Sequence, residues 1–222
     1  MSSAAAPALV VTAVEAERAA VLGGLPDGAR VHAVGVGPAG AAAGTAKLLA
    51  EEAAAGRLPR LLLCAGIGGG FAPRARIGDL VVADAIVAAD LGAEAPQEPG
   101  GFLPVDALGF GTGRRLPPAD AVAEAADLLG AGALTGTVLT VTTATGSAAT
   151  AAELTRRHPA ALAEAMEGFG VAEAAALFGV PVLEIRAVSN AVGPRDRGAW
   201  RIKEALEALR RGCARLAPML TP

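Results

Sequence analysis

Three short polar segments follow apolar runs in this chain and carry side chains that could do chemistry. The first is Thr12-Ala13-Val14-Glu15-Ala16-Glu17, the second Ala163-Glu164-Ala165-Met166-Glu167-Gly168, and the third Arg186-Ala187-Val188-Ser189-Asn190. In an α/β domain the carboxyl end of a buried strand is where ligand-handling side chains are displayed. A carboxylate there can polarise a water molecule as a general base. An amide there can donate and accept at once, so acid and amide together suit a small polar ligand. Each has an ordinary alternative: Glu15 and Glu17 could serve the helix dipole in a solvated first turn, and Asn190 could cap a turn.

Two glycine-rich stretches stand beside these segments. Gly35-Val36-Gly37-Pro38-Ala39-Gly40 is a literal G-x-G-x-x-G between a strand pattern and a helix pattern. A dinucleotide fingerprint also needs an acid about 20 residues on, at the end of the next strand, to hold the ribose. That strand ends in Cys64-Ala65-Gly66, so a tight strand-to-helix turn is the better reading. Gly66-Ile67-Gly68-Gly69-Gly70 is expected to break its strand and to present backbone amides toward a ligand or a water.

The elements that must position these groups alternate regularly. Strands are expected near 8–13, 30–35, 61–65, 79–89, 134–142 and 182–189, and helices near 15–22, 39–54, 119–129, 151–157 and 199–216, with a further helix ending at Phe178. That order predicts a three-layer α/β/α arrangement as a single domain over residues 1–222. Residues 92–116 carry Gly, Pro and acids without a clear period and are expected to form a long excursion that covers a site or a contact surface.

Composition excludes several partners. With 53% hydrophobic residues, 3% aromatic and no Tyr, Ala, Val, Leu and Gly must fill the core. A formal net charge of −3 gives no general attraction to nucleic acid or anionic lipid, so neither is expected as a partner. No leader and no apolar run of membrane length is expected, which reads as a cytoplasmic protein. Cys64 and Cys213 lie far apart without a disulfide or metal spacing, and His32 and His158 have no partner at a recognisable spacing.

Taken in order, Ala13-Val14-Glu15-Ala16-Glu17, Cys64-Ala65-Gly66-Ile67-Gly68-Gly69-Gly70-Phe71 with Ile77-Gly78-Asp79, Thr145-Gly146-Ser147, Ala165-Met166-Glu167 and Arg186-Ala187-Val188-Ser189-Asn190 resemble the purine nucleoside phosphorylase and methylthioadenosine nucleosidase superfamily. The resemblance spans nearly the whole chain. It implies the phosphorylase/hydrolase-like fold with a central mixed sheet, a small-molecule nucleoside substrate, a homo-oligomer and no cofactor.

The resemblance also implies roles. Glu17, Glu167 and Asn190 become the catalytic residues; Met166, Glu167, Gly66, Gly68, Thr143, Phe169 and Arg195 become substrate-binding residues. Glu17 takes the position of the water-activating acid, and a fixed anion there would repel phosphate. Asn190 stands where related nucleosidases place an Asp beside the purine N7. Its oxygen can accept from N7–H while its NH2 group donates to a 6-oxo oxygen, which favours hypoxanthine or guanine over adenine. Thr142-Thr143-Ala144-Thr145 and Ile67 depart from the pattern, where an aromatic and a Ser are common, and Phe169, Phe102 or Phe110 could supply the missing stacking. Arg195, Arg197 and Trp200 are candidates for a carboxylated group on the 5′ side. A 6-oxopurine nucleoside phosphorylase, a methylthioadenosine-type nucleosidase and a non-enzymatic nucleoside-binding protein are the alternatives.

Overall fold

The computed structural model describes residues 7–98 and 100–221, whose buried apolar side chains gather in three clusters around the strands. The first elements are β1 (Leu9–Thr12), α1 (Glu15–Leu22), β2 (Val31–Ala33), α2 (Gly37–Ala54), β3 (Leu62–Gly70) and β4 (Leu80–Ala88). There follow β5 (Gly92–Glu94), β6 (Phe102–Pro104), α3 (Val105–Leu108), β7 (Arg114–Arg115), α4 (Ala119–Leu129) and β8 (Ala133–Thr140). The chain closes with α5 (Ala148–Arg157), β9 (Ala161–Ala165), α6 (Gly168–Leu177), β10 (Val182–Ala191) and α7 (Ile202–Leu220).

Val10, Leu63 and Ile185 pack with α1, α4 and α7 on one face. Leu9, Val11, Leu62 and Cys64 pack with α2 and α6 on the other. This is the period-two pattern of strands buried on both faces. Each fully buried Leu contributes about 1.5–3 kcal/mol through removal of its surface from water. Small residues let α2 and α6 approach closely: a Cβ on Gly170 would lie 2.1 Å from the Pro38 carbonyl oxygen. The expected α/β/α layering is therefore present, built on Ala and Gly rather than on aromatics.

The eight-stranded sheet runs β10-β4-β8-β9-β3-β1-β2, with β7 on β4, and a further β10–β3 pairing closes part of it into a ring. Parallel pairs dominate, while β10–β4, β3–β9 and β4–β7 are antiparallel, so the sheet is mixed. One expectation is corrected here. Gly66–Gly70 does not break its strand but continues β3, because Arg186, Ala187, Val188, Asn190 and Ala191 of β10 pair alongside it. That ladder, joined by β9 on the other edge at Gly69 and Gly70, supplies what the missing side chains cannot. The excursion at 92–116 holds a β5–β6 hairpin and β7, where Arg114 and Arg115 pair with Val87 and Ile86.

Candidate active site

Where β1, β3, β9 and β10 end, a cavity of about 240 Å³ opens. Its lining includes Glu17, Gly68, Gly69, Glu164, Met166, Glu167, Asn190, Arg195 and Trp200. The acid at the end of β1 is Glu17: it is buried at 4% exposure, whereas the Glu15 side chain is 70% exposed and pairs with Arg18. Glu17 Oε2 accepts from the amides of Ala13 (2.9 Å) and Val14 (3.3 Å), and Oε1 accepts from Ile67 N (2.9 Å). Three of roughly four acceptor sites are thus taken by main chain, which fixes the carboxylate and leaves one lone pair for a ligand.

Glu167 lies just beyond β9 and is likewise buried. Its Oε1 accepts from Gly37 N at 3.2 Å, and its Oε2 lies 3.1 Å from an Arg186 guanidinium nitrogen. The G-x-G-x-x-G turn therefore has a use its dinucleotide reading missed. With Gly35 and Gly37 at φ +112° and +78°, it turns the Gly37 amide onto a carboxylate 130 residues away in sequence.

Arg186 is the residue that ties these acids together, and the sequence reading gave it no role. Only 1% exposed, it donates through Nε to Glu184 Oε1 at 2.8 Å, and its NH2 group reaches Cys64 Sγ at 3.4 Å. Burial opposes its charge, but the carboxylates of Glu184, Glu167 and Glu17 outweigh that and hold the guanidinium well above its ordinary value. Glu184 has Oε2 without a hydrogen-bond partner, and burial pushes its carboxyl up against the pull of Arg186. A Cβ on Gly168 would stand 2.0 Å from that oxygen, so the glycine after Glu167 is required to seat it.

Asn190, on β10, is half-buried, with Oδ1 accepting from Ser189 Oγ at 2.8 Å and Nδ2 donating to the Ala191 carbonyl at 3.1 Å. Gly66 supports the site without lining it: a Cβ there would meet Arg186 at 2.5 Å and Glu17 Oε1 at 2.6 Å. Thr143 stands outside the lining, where the neighbouring Ala144 and Thr145 face inward. Phe169 is in the core, its amide donating to Thr140 Oγ1 at 2.9 Å. Phe102 lies under Arg157 at 4.3 Å, and Phe110 is 83% exposed, so neither reaches the cavity. Trp200, with Arg195 over its ring at 5.6 Å, supplies the aromatic wall among the described residues. Arg197 instead borders an adjoining hollow with Trp200, Arg201 and Lys203.

Glu164 and Thr145 were not singled out from the sequence. Glu164 Oε1 accepts from Thr145 N at 2.8 Å, and its Oε2 accepts from Thr145 Oγ1. The signal was present in the alternation of β9, which sends Glu164 to the opposite face from its apolar neighbours. Among the described residues no helix is long and apolar enough to cross a membrane, and no cluster of metal-ligating side chains occurs.

Fold and site together define a member of the phosphorylase superfamily, whose family model matches residues 8–221. Solved structures agree in fold. A 5′-methylthioadenosine/S-adenosylhomocysteine nucleosidase from Neisseria meningitidis superposes with a TM-score of 0.80 at 19% identity, covering 96% of this chain and 99% of that one. A futalosine hydrolase from Helicobacter pylori superposes with a TM-score of 0.78 at 19% identity, covering 96% and 97%. Sequence narrows the placement: a futalosine hydrolase from Streptomyces coelicolor is 59% identical over 96% of this chain and 95% of its own length. Another, from Thermus thermophilus, is 38% identical over 77% of this chain and 75% of its own. The chain belongs to the futalosine hydrolase family.

Proposed function

We propose that this cavity hydrolyses the N-glycosidic bond of futalosine, releasing hypoxanthine and dehypoxanthine futalosine in menaquinone biosynthesis. The observation that carries the reading is the meeting of buried Glu17 and Glu167 with Asn190 at one cavity, Glu167 being held from behind by Arg186, in a chain 59% identical to a futalosine hydrolase. N-glycosidic cleavage passes through an oxocarbenium-like state. Glu167, held by Gly37 and Arg186, retains lone pairs for the 2′- and 3′-hydroxyls, and its charge favours the ring most as it becomes cationic. Met166 lies against the sugar beside it. Asn190 accepts from N7–H and donates to O6 of the departing base; Gly68 belongs to the cavity wall, whereas Thr143 stands outside it beside Ala144 and Thr145.

Glu17 orients and deprotonates water with its remaining lone pair. Phosphate is disfavoured there, because Glu167 and Glu184 already pair with the one buried guanidinium and Glu17 adds a third carboxylate nearby. Asn190→Asp is expected to lower kcat/KM for futalosine about tenfold, since a carboxylate facing O6 leaves acceptors opposed and unpaired at a cost of about 1–3 kcal/mol. Steady-state kinetics with unchanged values would remove the 6-oxo argument.

The 5′ carboxylate is assigned to Arg195, whose guanidinium stands over Trp200 at the cavity rim. A hydrogen bond to a charged group contributes about 1.5–3 kcal/mol. Arg195→Ala should therefore raise KM for futalosine about tenfold more than KM for inosine. Equal changes on the two substrates would move the tail elsewhere.

Self-association is inferred from Leu91, Phe110 and Leu116, which expose apolar side chains on and beside the 92–116 excursion. A cytoplasmic setting is supported by two buried free thiols, Cys64 and Cys213. The reaction is tested by incubating the protein with futalosine, inosine and methylthioadenosine, with and without phosphate. Hypoxanthine released from futalosine without phosphate is the expected result. A phosphate requirement would select a phosphorylase, and adenine release a methylthioadenosine-type nucleosidase.

A further inference from the structure

Hydrolysis as described uses Glu17, Glu167 and Asn190 but leaves the third acid of the cavity, Glu164, without a task. Its position is set by the sheet. In β10–β3 pairing Asn190 stands opposite Gly69, and in β3–β9 pairing Gly69 stands opposite Glu164. The three residues thus form one row across three strands and share a face. An irregularity in β10 makes this possible: the register passes from Val188 opposite Gly68 directly to Asn190 opposite Gly69, skipping Ser189. Such a bulge re-aims a side chain.

The middle member of the row has no side chain. A Cβ on Gly69 would come within 2.8 Å of Val192 Cγ2 and 3.3 Å of Asn190 Nδ2. The flanking residues are two strand spacings apart, about 9.5 Å between their Cα atoms. That width admits a bicyclic base with a hydrogen bond at each side.

Glu164 is equipped for one of those bonds. Two of its roughly four acceptor sites are filled by Thr145, and both contacts require it to accept. Burial pushes its carboxyl up; the Thr145 hydroxyl and amide oppose this, and Asp90 adds to it. A third donor would relieve the same cost. In a 6-oxopurine N1 carries a hydrogen and O6 is an acceptor, whereas in a 6-aminopurine N1 is itself an acceptor.

We infer that Glu164 accepts the N1–H of the purine while Asn190 holds the N7 and O6 edge, the base lying over Gly69 and the Val192 methyl that closes against it. Glu164 is then a specificity-determining residue, and the inference rests on the futalosine reading of this cavity. It assigns 6-oxo selection to two opposed side chains rather than to Asn190 alone.

Glu164→Gln supplies the test. A Gln can keep an oxygen on the Thr145 amide while turning its NH2 group toward N1, so it should donate where Glu164 accepts. With futalosine and its 6-amino analogue as paired substrates, kcat/KM for futalosine should fall about 30-fold and that for the analogue should hold or rise. Equal losses on both substrates, or no loss on either, would overturn the assignment. A measurement on the unaltered protein keeps the idea exposed if the variant does not fold. By calorimetry hypoxanthine should bind at least 30-fold more tightly than 1-methylhypoxanthine, and equal affinities would refute it. Failure of the parent reading looks different, because no hypoxanthine would then leave futalosine at all.

Discussion

Glu17→Gln is expected to lower kcat for futalosine hydrolysis by about 10²–10⁴-fold, the range that a positioned general base contributes. The change keeps size and removes charge. Gln retains one acceptor oxygen, so it can satisfy either the Ala13 and Val14 amides or the Ile67 amide, but not both sets as the carboxylate does. In the proposed role Glu17 would meet water rather than the nucleoside, so KM should move far less. Rapid-quench and steady-state assays on protein with native thermal unfolding would decide; kcat within threefold of the unmodified enzyme would leave Glu17 a structural anchor.

Arg186→Met is expected to destabilise the fold by about 3–5 kcal/mol, the cost of leaving buried charge without its partner. Glu184 is fully buried and Glu167 nearly so, and Arg186 faces both at 2.8 and 3.1 Å. The deficit should depend on pH with a definite sign. Burial raises the folded carboxyl of Glu184 above its ordinary value of 4.5, so its contribution to stability is present in acid and fades as pH rises through the folded value. Without Arg186 to offset the charge, that fading should deepen. Denaturant unfolding at pH 5 and pH 8 should therefore show a larger difference between variant and parent at pH 8. Adding Glu184→Gln should restore part of the stability, and no recovery would show that Arg186 acts chiefly through packing.

Much of this site was legible because chemistry at a strand end leaves a mark in sequence. Glu17, Glu167 and Asn190 each follow an apolar run, and the structure brings them to one cavity. A first helical turn alone could not separate Glu15 from Glu17, and the choice of Glu17 came from the resemblance; in the fold Glu17 is buried against the Ile67 amide, a contact across 50 residues, while Glu15 faces solvent. Arg186 was hidden by its setting. It sits two residues from Glu184 on a strand buried on both faces, and the period of two that places them together also signals their pairing. The continuation of β3 through Gly66–Gly70 was beyond reach, because glycine-rich sequence has weak strand preference and the ladder comes from β10 and β9. Phe169 misled for the opposite reason: an aromatic beside a candidate acid looks like a stacking platform, yet α6 turns it into the core.

The glycine strand along the bottom of the cavity has an evolutionary corollary. Gly68 and Gly69 are hemmed in by Glu164 and Val192, and Gly66 behind them by Arg186 and Glu17, so mutation cannot resculpt that surface one side chain at a time. Divergence toward other nucleosides must proceed through the segments 142–147 and 191–200 that overhang it, and lineages with new 5′ groups should concentrate their replacements there.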